Sequence, residues 1–137
     1  MADEKRYMQA LRTFIILKTG LDGQRVIVGG LKEGTISSKQ LFPAIALRRS
    51  GGIGRYGERD NLQLVAQRFD ATCFAETRLE AMDALAKLAG ALKDMARDMV
   101  DNVLLHRVNK SGSAFDLVDE ETNLPISVQS FELVAEI

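Results

Sequence analysis

Cys73 and His106 are the only cysteine and the only histidine in the chain, so one thiol–imidazole pair is the single route to nucleophilic catalysis by these residue types. Cys73 stands between Thr72 and Phe74 in a strand-like run, where cysteine behaves as a small buried hydrophobe. His106 stands in Leu104-Leu105-His106-Arg107-Val108, also a strand pattern. Both read as structural residues. One Cys and one His leave only scattered carboxylates to complete a metal site, so no metal is expected. The carboxylates of Asp119-Glu120-Glu121 are consecutive in a turn and do not converge on a substrate. Gly52-Ile53-Gly54-Arg55-Tyr56-Gly57 fits G-x-G-x-x-G, with Glu76 roughly 20 residues further on. That fingerprint needs a helix to open at the loop, so that its first amides and its dipole meet the pyrophosphate. The residues after Gly57 alternate as a strand instead, and no second βαβ unit completes a dinucleotide fold. The residues therefore predict no catalytic group, no cofactor and no enzyme.

The arginines offer binding rather than chemistry. Arg48, Arg49, Arg55 and Arg59 fall close together with Tyr56 among them, at the expected tip joining two strands. Guanidinium forks hold phosphate or carboxylate, and tyrosine stacks or hydrogen-bonds. Glu58 and Asp60 dilute the charge. Three readings stand: a solvated hairpin, a contact with a neighbouring subunit, or a contact with nucleic acid.

The elements that must carry these residues emerge from periodicity. Asp3 to Thr19 predicts a helix, with Tyr7, Leu11, Phe14 and Ile15 on one face and Gly20 where a C-cap glycine belongs. Arg25 to Val28 is a short β-branched run ended by Gly29-Gly30, and residues 31–40 read as a loop. Leu41 to Arg49 predicts a strand with Pro43 near its start. Residues 50–60 read as a glycine-rich connection, followed by a long strand from about Leu62 to Ala75. In that strand Leu62, Leu64 and Ala66 share one face while Phe69, Ala71 and Cys73 share the other, which predicts a bulge or bend. Thr77-Arg78-Leu79-Glu80 has capping-box spacing and opens a helix to about Asp98, with Met82, Leu85, Leu88, Leu92 and Met95 as its apolar stripe. Strands come next at Asn102–Val108, Ala114–Val118 and Ile126–Ile137, divided by Ser111-Gly112 and by Glu120 to Pro125; the last shows the same phase change. The order implies an α+β fold, a mostly antiparallel sheet with two helices packed on one face.

A length of 137 residues fits a single domain spanning 1–137. Such a chain buries roughly two-thirds of its unfolded surface and needs no disulfide or metal staple. A formal charge of -1, from 18 basic and 19 acidic residues, argues against a protein whose main task is to grip nucleic acid. The acidic residues of MADEKRYMQAL argue against a secretory signal, and no apolar run reaches membrane-spanning length, so a soluble protein made in a cytoplasm is expected.

Several segments, in order, resemble the tail terminators or tail-completion proteins of tailed phages, the group that includes the minor tail protein U type. Phe42-Pro43-Ala44-Ile45-Ala46-Leu47, followed by Arg49 and Gly51-Gly52, resembles that family's proline-led strand. Phe69-Asp70-Ala71-Thr72-Cys73-Phe74-Ala75 resembles its long strand, feeding the helix that begins Thr77-Arg78-Leu79-Glu80-Ala81-Met82. Asp119-Glu120-Glu121-Thr122-Asn123-Leu124-Pro125 and then Phe131-Glu132-Leu133 resemble its closing hairpin. The resemblance covers most of the chain from about residue 41 onward, with the N-terminal helix matched by position; the stretches 31–40 and 50–60 depart from it.

The resemblance implies a virion structural protein at the neck of the tail, assembled in the host cytoplasm. It implies a six-fold homo-oligomeric ring that ends tube polymerisation, with the tail-tube protein and a head-tail connector protein as partners. DNA passes through the lumen only in transit, and no membrane is involved. A ring seam of closing, heterologous type can satisfy open sheet edges, and the first and last strands are its natural candidates. Arg48, Arg49, Arg55, Tyr56 and Arg59 are the residues expected to touch a subunit, a partner or the lumen. Two other classes remain open: another neck component such as a head-tail adaptor or stopper, and a non-phage α+β ligand-binding or regulatory module.

Overall fold

A computed structural model describes residues 2–21, 23–28, 43–56, 64–118 and 123–136. Its elements run α1 (Ala2–Thr19), a 3-10 turn (Gly23–Arg25), β1 (Val26–Val28), β2 (Ala44–Tyr56), β3 (Leu64–Phe74), α2 (Arg78–Lys93), β4 (Asp98–Val100), β5 (Val103–Val118) and β6 (Pro125–Glu136). The strands form one sheet in the order β1-β2-β3-β6-β5-β4. Only β1–β2 is parallel. The fold is α+β, as the sequence predicts, and both helices pack into one core against one face of the sheet.

α1 forms because its apolar residues recur at helical spacing. Tyr7, Met8, Leu11, Phe14 and Ile15 are all buried. It stops at Gly20, whose φ of +73° suits glycine and whose N–H donates to the Ile16 carbonyl at 3.0 Å. Arg12 then anchors the chain's return. Its Nε donates to the Val26 carbonyl at 2.8 Å and its Nη2 to the Gly23 carbonyl at 2.6 Å, tying α1 to β1. A Cβ at position 23 would lie 3.0 Å from that Nη2, so the close approach depends on glycine.

α2 begins as expected, with the Thr77 hydroxyl accepting from the Glu80 N–H at 3.2 Å. It ends at Lys93, short of the predicted Asp98. The cause is local: Met95 N–H bonds to Leu92, Arg97 takes a φ of 56°, and the Asp98 carboxylate accepts from Ala96 N–H at 3.1 Å. Those contacts turn the chain into β4. Ala81, Ala84 and Ala91 join Leu85, Leu88 and Leu92 on the buried stripe, whereas Met82, predicted to belong to it, is 43% exposed.

The predicted phase changes are not bulges in β3 or β6. These two strands pair without interruption from Leu64↔Glu136 to Phe74↔Ile126. The odd-numbered residues face the helices throughout, and three of those buried positions hold polar side chains: Gln67, Ser127 and Gln129. On the even-numbered face Phe74 and Ile126 join Ala44 and Ala46 of β2 in a second cluster, with Val128 against it. Register irregularities do occur in the flanking strands, between Arg49 and Ile53 in β2, and between Leu105 and Arg107 and between Ser111 and Phe115 in β5.

The structure departs from the sequence pattern at three more places. Residues 50–56 are strand rather than connection, because β2 absorbs its glycines in the irregularity after Arg49 and runs on to Tyr56. The Ser111-Gly112 junction does not end a strand, since Gly112, at φ +86°, lets β5 bend and continue. The last strand is not a sheet edge: β6 lies between β3 and β5, and among the described residues the outermost strands are β1 and β4. The predicted loop 31–40 and the turn residues Asp119, Glu120 and Glu121 lie outside the described residues. Among the described residues no helix is long and apolar enough to cross a membrane.

Phe69 and Phe131 stack at the centre of the β3–β6 ladder, with centroids 5.4 Å apart and both side chains buried. Phe131→Ala is expected to lower unfolding free energy by about 3–5 kcal/mol. Thr77→Ala is expected to cost about 1 kcal/mol through the lost cap. Urea denaturation followed by far-UV circular dichroism measures both.

Candidate functional site

The thiol and the imidazole are not brought together. Cys73 pairs with Ser127 on β6, whereas His106 sits in the β5 irregularity beside Val134 and Ala135. Seven residues of β6 separate those positions, about 23 Å at strand rise. Cys73 is fully buried, and burial pushes its thiol up from 9.0 to about 12. His106 Nε2 lies 3.3 Å from Glu136 Oε2, and its carbonyl accepts from Arg97 N–H, so it joins β5, β6 and the α2–β4 turn. Among the described residues no three of His, Cys, Asp and Glu stand close enough to hold a metal. The Gly52–Tyr56 stretch lies in β2 and the next described element is the strand β3, while Gly57 lies outside the described residues.

A cleft of about 240 Å³ opens between the end of α1 and the first half of α2, lined in part by Thr19, Glu80, Asp83 and Lys87. Neither Cys73 nor His106 reaches it, and its charged residues lie on the exposed side of α2.

The arginines are strung along one strand instead of gathered at a tip. Arg48 and Arg49 are exposed on β2, opposite Asp70 and Phe69 of β3. As neighbours on a strand they point to opposite faces of the sheet. Arg48 shares the face away from the helices with Asp70, whose carboxylate accepts from the Ser130 hydroxyl at 2.6 Å. Arg55 and Tyr56 occupy the far end of β2, at the register positions opposite Val65 and Leu64, about 20 Å of strand beyond Arg48. Arg59 lies outside the described residues. The arginine positions are therefore spread along β2, with Arg48 and Arg49 on opposite faces of the sheet, and do not converge on a point ligand.

Sequence reasoning missed a second surface. Phe115, Leu117 and Val118 at the end of β5 are 50%, 51% and 60% exposed. Phe115 and Leu117 pair with Val128 and Ile126 and so extend the small apolar cluster on the face away from the helices. The signal was present as alternation of Phe115 and Leu117 around Asp116. Asp116 itself is held on the other face, where it accepts from the Ser127 hydroxyl at 2.5 Å and from Arg78 at 3.4 Å. Nearby, Gln129 Nε2 donates to the Gly112 carbonyl at 2.8 Å and supports the bend of β5.

Known proteins bear on this arrangement through fold. No protein-family model matches the chain, and no curated protein matches it. A solved structure does. A chain of the "Virion of native gene transfer agent (GTA) particle" superposes with a TM-score of 0.63 at 14% identity, over 95% of this chain and 97% of that chain. At that identity the likeness is one of fold, and it takes in the whole α+β arrangement described above.

Cys73 is expected to resist a thiol reagent such as DTNB at pH 8 in the folded protein and to react at once in denaturant. Its raised thiol makes its contribution to stability fully present below about pH 9 and lost as pH climbs toward about 12, visible as a falling urea midpoint across that window. Arg48→Glu is expected to leave stability within about 0.5 kcal/mol of wild type, because the side chain is exposed, so any assembly defect in that variant reports a lost contact.

Proposed function

We propose that this chain is a non-enzymatic structural protein of a tailed phage or phage-derived particle, acting as a tail terminator. In this reading residues 1–137 form one domain that joins copies of itself into a six-fold ring on the head-proximal end of the tail tube. The ring ends tube polymerisation and offers its other face to a head-tail connector protein. DNA passes through the lumen in transit, and the finished protein resides at the tail neck after assembly in the host cytoplasm.

The observation that carries the reading is the fold shared with a virion chain along nearly the full length of both. The ordered resemblance of the segments Phe42–Leu47 and Phe69–Ala75 and of the helix after Thr77 to tail terminators is what narrows the reading to that group. The site chemistry agrees in kind. A basic strand and an exposed apolar strand end are features of a surface that meets other subunits. Arg48, Arg49, Arg55, Tyr56 and Arg59 are assigned to contact with a neighbouring subunit, a partner or the lumen. A near-zero net charge suits a lumen that lets DNA slide, since each strong phosphate contact would oppose passage.

Light scattering across a concentration series, with negative-stain images of the same fractions, tests the reading. A ring is expected, either alone or when tail-tube protein is added to a monomer. A stable dimer indifferent to tube protein would sink it. A ring that ignores tube protein and binds portal-side protein would reassign the chain to an adaptor or stopper.

A further inference from the structure

Strand register gives the face of the sheet turned away from the helices row by row, because residues directly opposite each other on neighbouring strands share a face. Arg48 stands in one row with Asp70, Ser130 and Ser111. Arg68 stands in the next with Glu132 and Asn109, and Arg107 in the one after with Ala66 and Val134. Toward the start of α2 the same face is apolar, carrying Phe74, Ile126 and Val128. From the Arg48 row onward it turns polar.

The charges on this polar half stand at different heights. Arg48, Arg68 and Arg107 are exposed, whereas Asp70, Glu132 and Glu136 are only partly exposed. Asp70 accepts from the Ser130 hydroxyl, and Glu136 lies against His106. A guanidinium on its long stem reaches past a short, half-buried carboxylate, so the outermost charges are positive. Among the described residues none of the three arginines forms an ion pair. They also fall close to one line. Arg48 and Arg68, on adjacent strands and two residues out of register, are about 8 Å apart at sheet spacing, and Arg68 and Arg107 are about 12 Å apart in the same diagonal direction.

We propose that this diagonal is a surface for the DNA backbone, with Arg48, Arg68 and Arg107 each meeting a phosphate and Asn109 and Ser111 beside them as uncharged hydrogen-bonding groups. The proposal deepens the ring reading and rests on it, since it turns this face of the sheet toward the lumen.

Two features favour DNA over an acidic protein as the occupant. A protein contact needs a water-excluding apolar core, and the apolar members of this half, Ala66 and Val134, are already buried within the chain. Separate charges set in a line suit a polyanion that repeats one charge along its length. The carboxylates of Asp70 and Glu132 temper the arginines, which keeps the grip weak enough for transit.

Fluorescence anisotropy with a short labelled DNA duplex tests the surface on the assembled ring, with light scattering of the same samples to follow its integrity. Wild type is expected to bind duplexes of different sequence alike, with log K falling against log salt at a slope of about -2.7 for each copy engaged. Arg68→Gln and Arg107→Gln are each expected to flatten that slope by about 1 and to weaken binding about tenfold at about 50 mM salt, with rings intact. Lys87→Gln, at an exposed position on α2, is expected to leave the slope unchanged.

Arginine variants that bind DNA as wild type does overturn the surface and leave the ring reading intact. If those variants keep DNA but lose the connector protein, the face is a protein contact and the proposal also falls. Failure of the wild-type chain to form rings, with or without tube protein, removes the ring reading and the lumen assignment. The same titration on the unassembled chain then decides the DNA contact by itself: dependence on Arg68 and Arg107 upholds it, and binding that is absent or indifferent to them removes it.

Discussion

The uninterrupted pairing of β3 with β6 is the constraint on which the other elements depend. Each residue from Leu64 to Phe74 has its partner between Ile126 and Glu136, with Phe69 stacked on Phe131 in the middle. Because this pair never slips, the odd-numbered face stays toward the helices from one end to the other. The flanking strands adapt to it: β2 shifts register after Arg49, and β5 shifts after Leu105 and again after Ser111. Bulges in the outer strands increase twist and bend them away from the plane while the central pair holds the core. The helices then need only match one fixed apolar surface, which they do with Phe14 and Ile15 of α1 and Leu88 and Leu92 of α2.

Helices of 18 and 16 residues are about 27 Å and 24 Å long, whereas a β5 of 16 residues spans about 53 Å. One layer of helices cannot cover strands of that length. The consequence is visible along β5, which is buried at Val103 and Leu105 and exposed from Ser113 to Phe115 and at Leu117 and Val118. Polar residues take over the helix-facing positions in the same region: Ser127 and Gln129 are buried there, and each bonds to β5, Ser127 through Asp116 and Gln129 through the Gly112 carbonyl. Strand ends built this way hold their shape through backbone pairing and side-chain hydrogen bonds more than through a core. They project beyond the helices with apolar surface still on the other face, where it is available to another chain.

The sequence revealed most where period and capping agree. α1, the start of α2 and the α+β order emerge from the spacing of Tyr7, Leu11 and Phe14 and from Thr77 three residues before Glu80. It misled wherever a polar residue stands in a core position. Gln67, Ser127 and Gln129 each interrupt the apolar alternation, so a continuous strand reads as one that changes phase. Gln67 keeps its Nε2 bonded to the Arg68 carbonyl while its Oε1 is buried without a partner, an arrangement no propensity would suggest. Glycine misled in the opposite direction. Gly51, Gly52 and Gly112 are breaker residues by type, yet here they fall within irregularities inside β2 and β5. The candidate site suffered from the same error, because a supposed tip gathered arginines that the strand spreads along its length.

That spreading changes what the arginines can do. Four guanidinium groups at a tip would make a site for a small anion, concentrated and indifferent to the surface beyond it. Basic residues spread along a strand cannot converge on one small anion, and each is placed to meet a separate group on an extended partner surface. Edge strands that must avoid chance pairing carry charge for that reason, and the same charge favours a partner of opposite sign. Arg48 and the half-exposed Phe115 and Leu117 share the face away from the helices, which makes that side of the sheet mixed in character, charged at one strand and apolar at another.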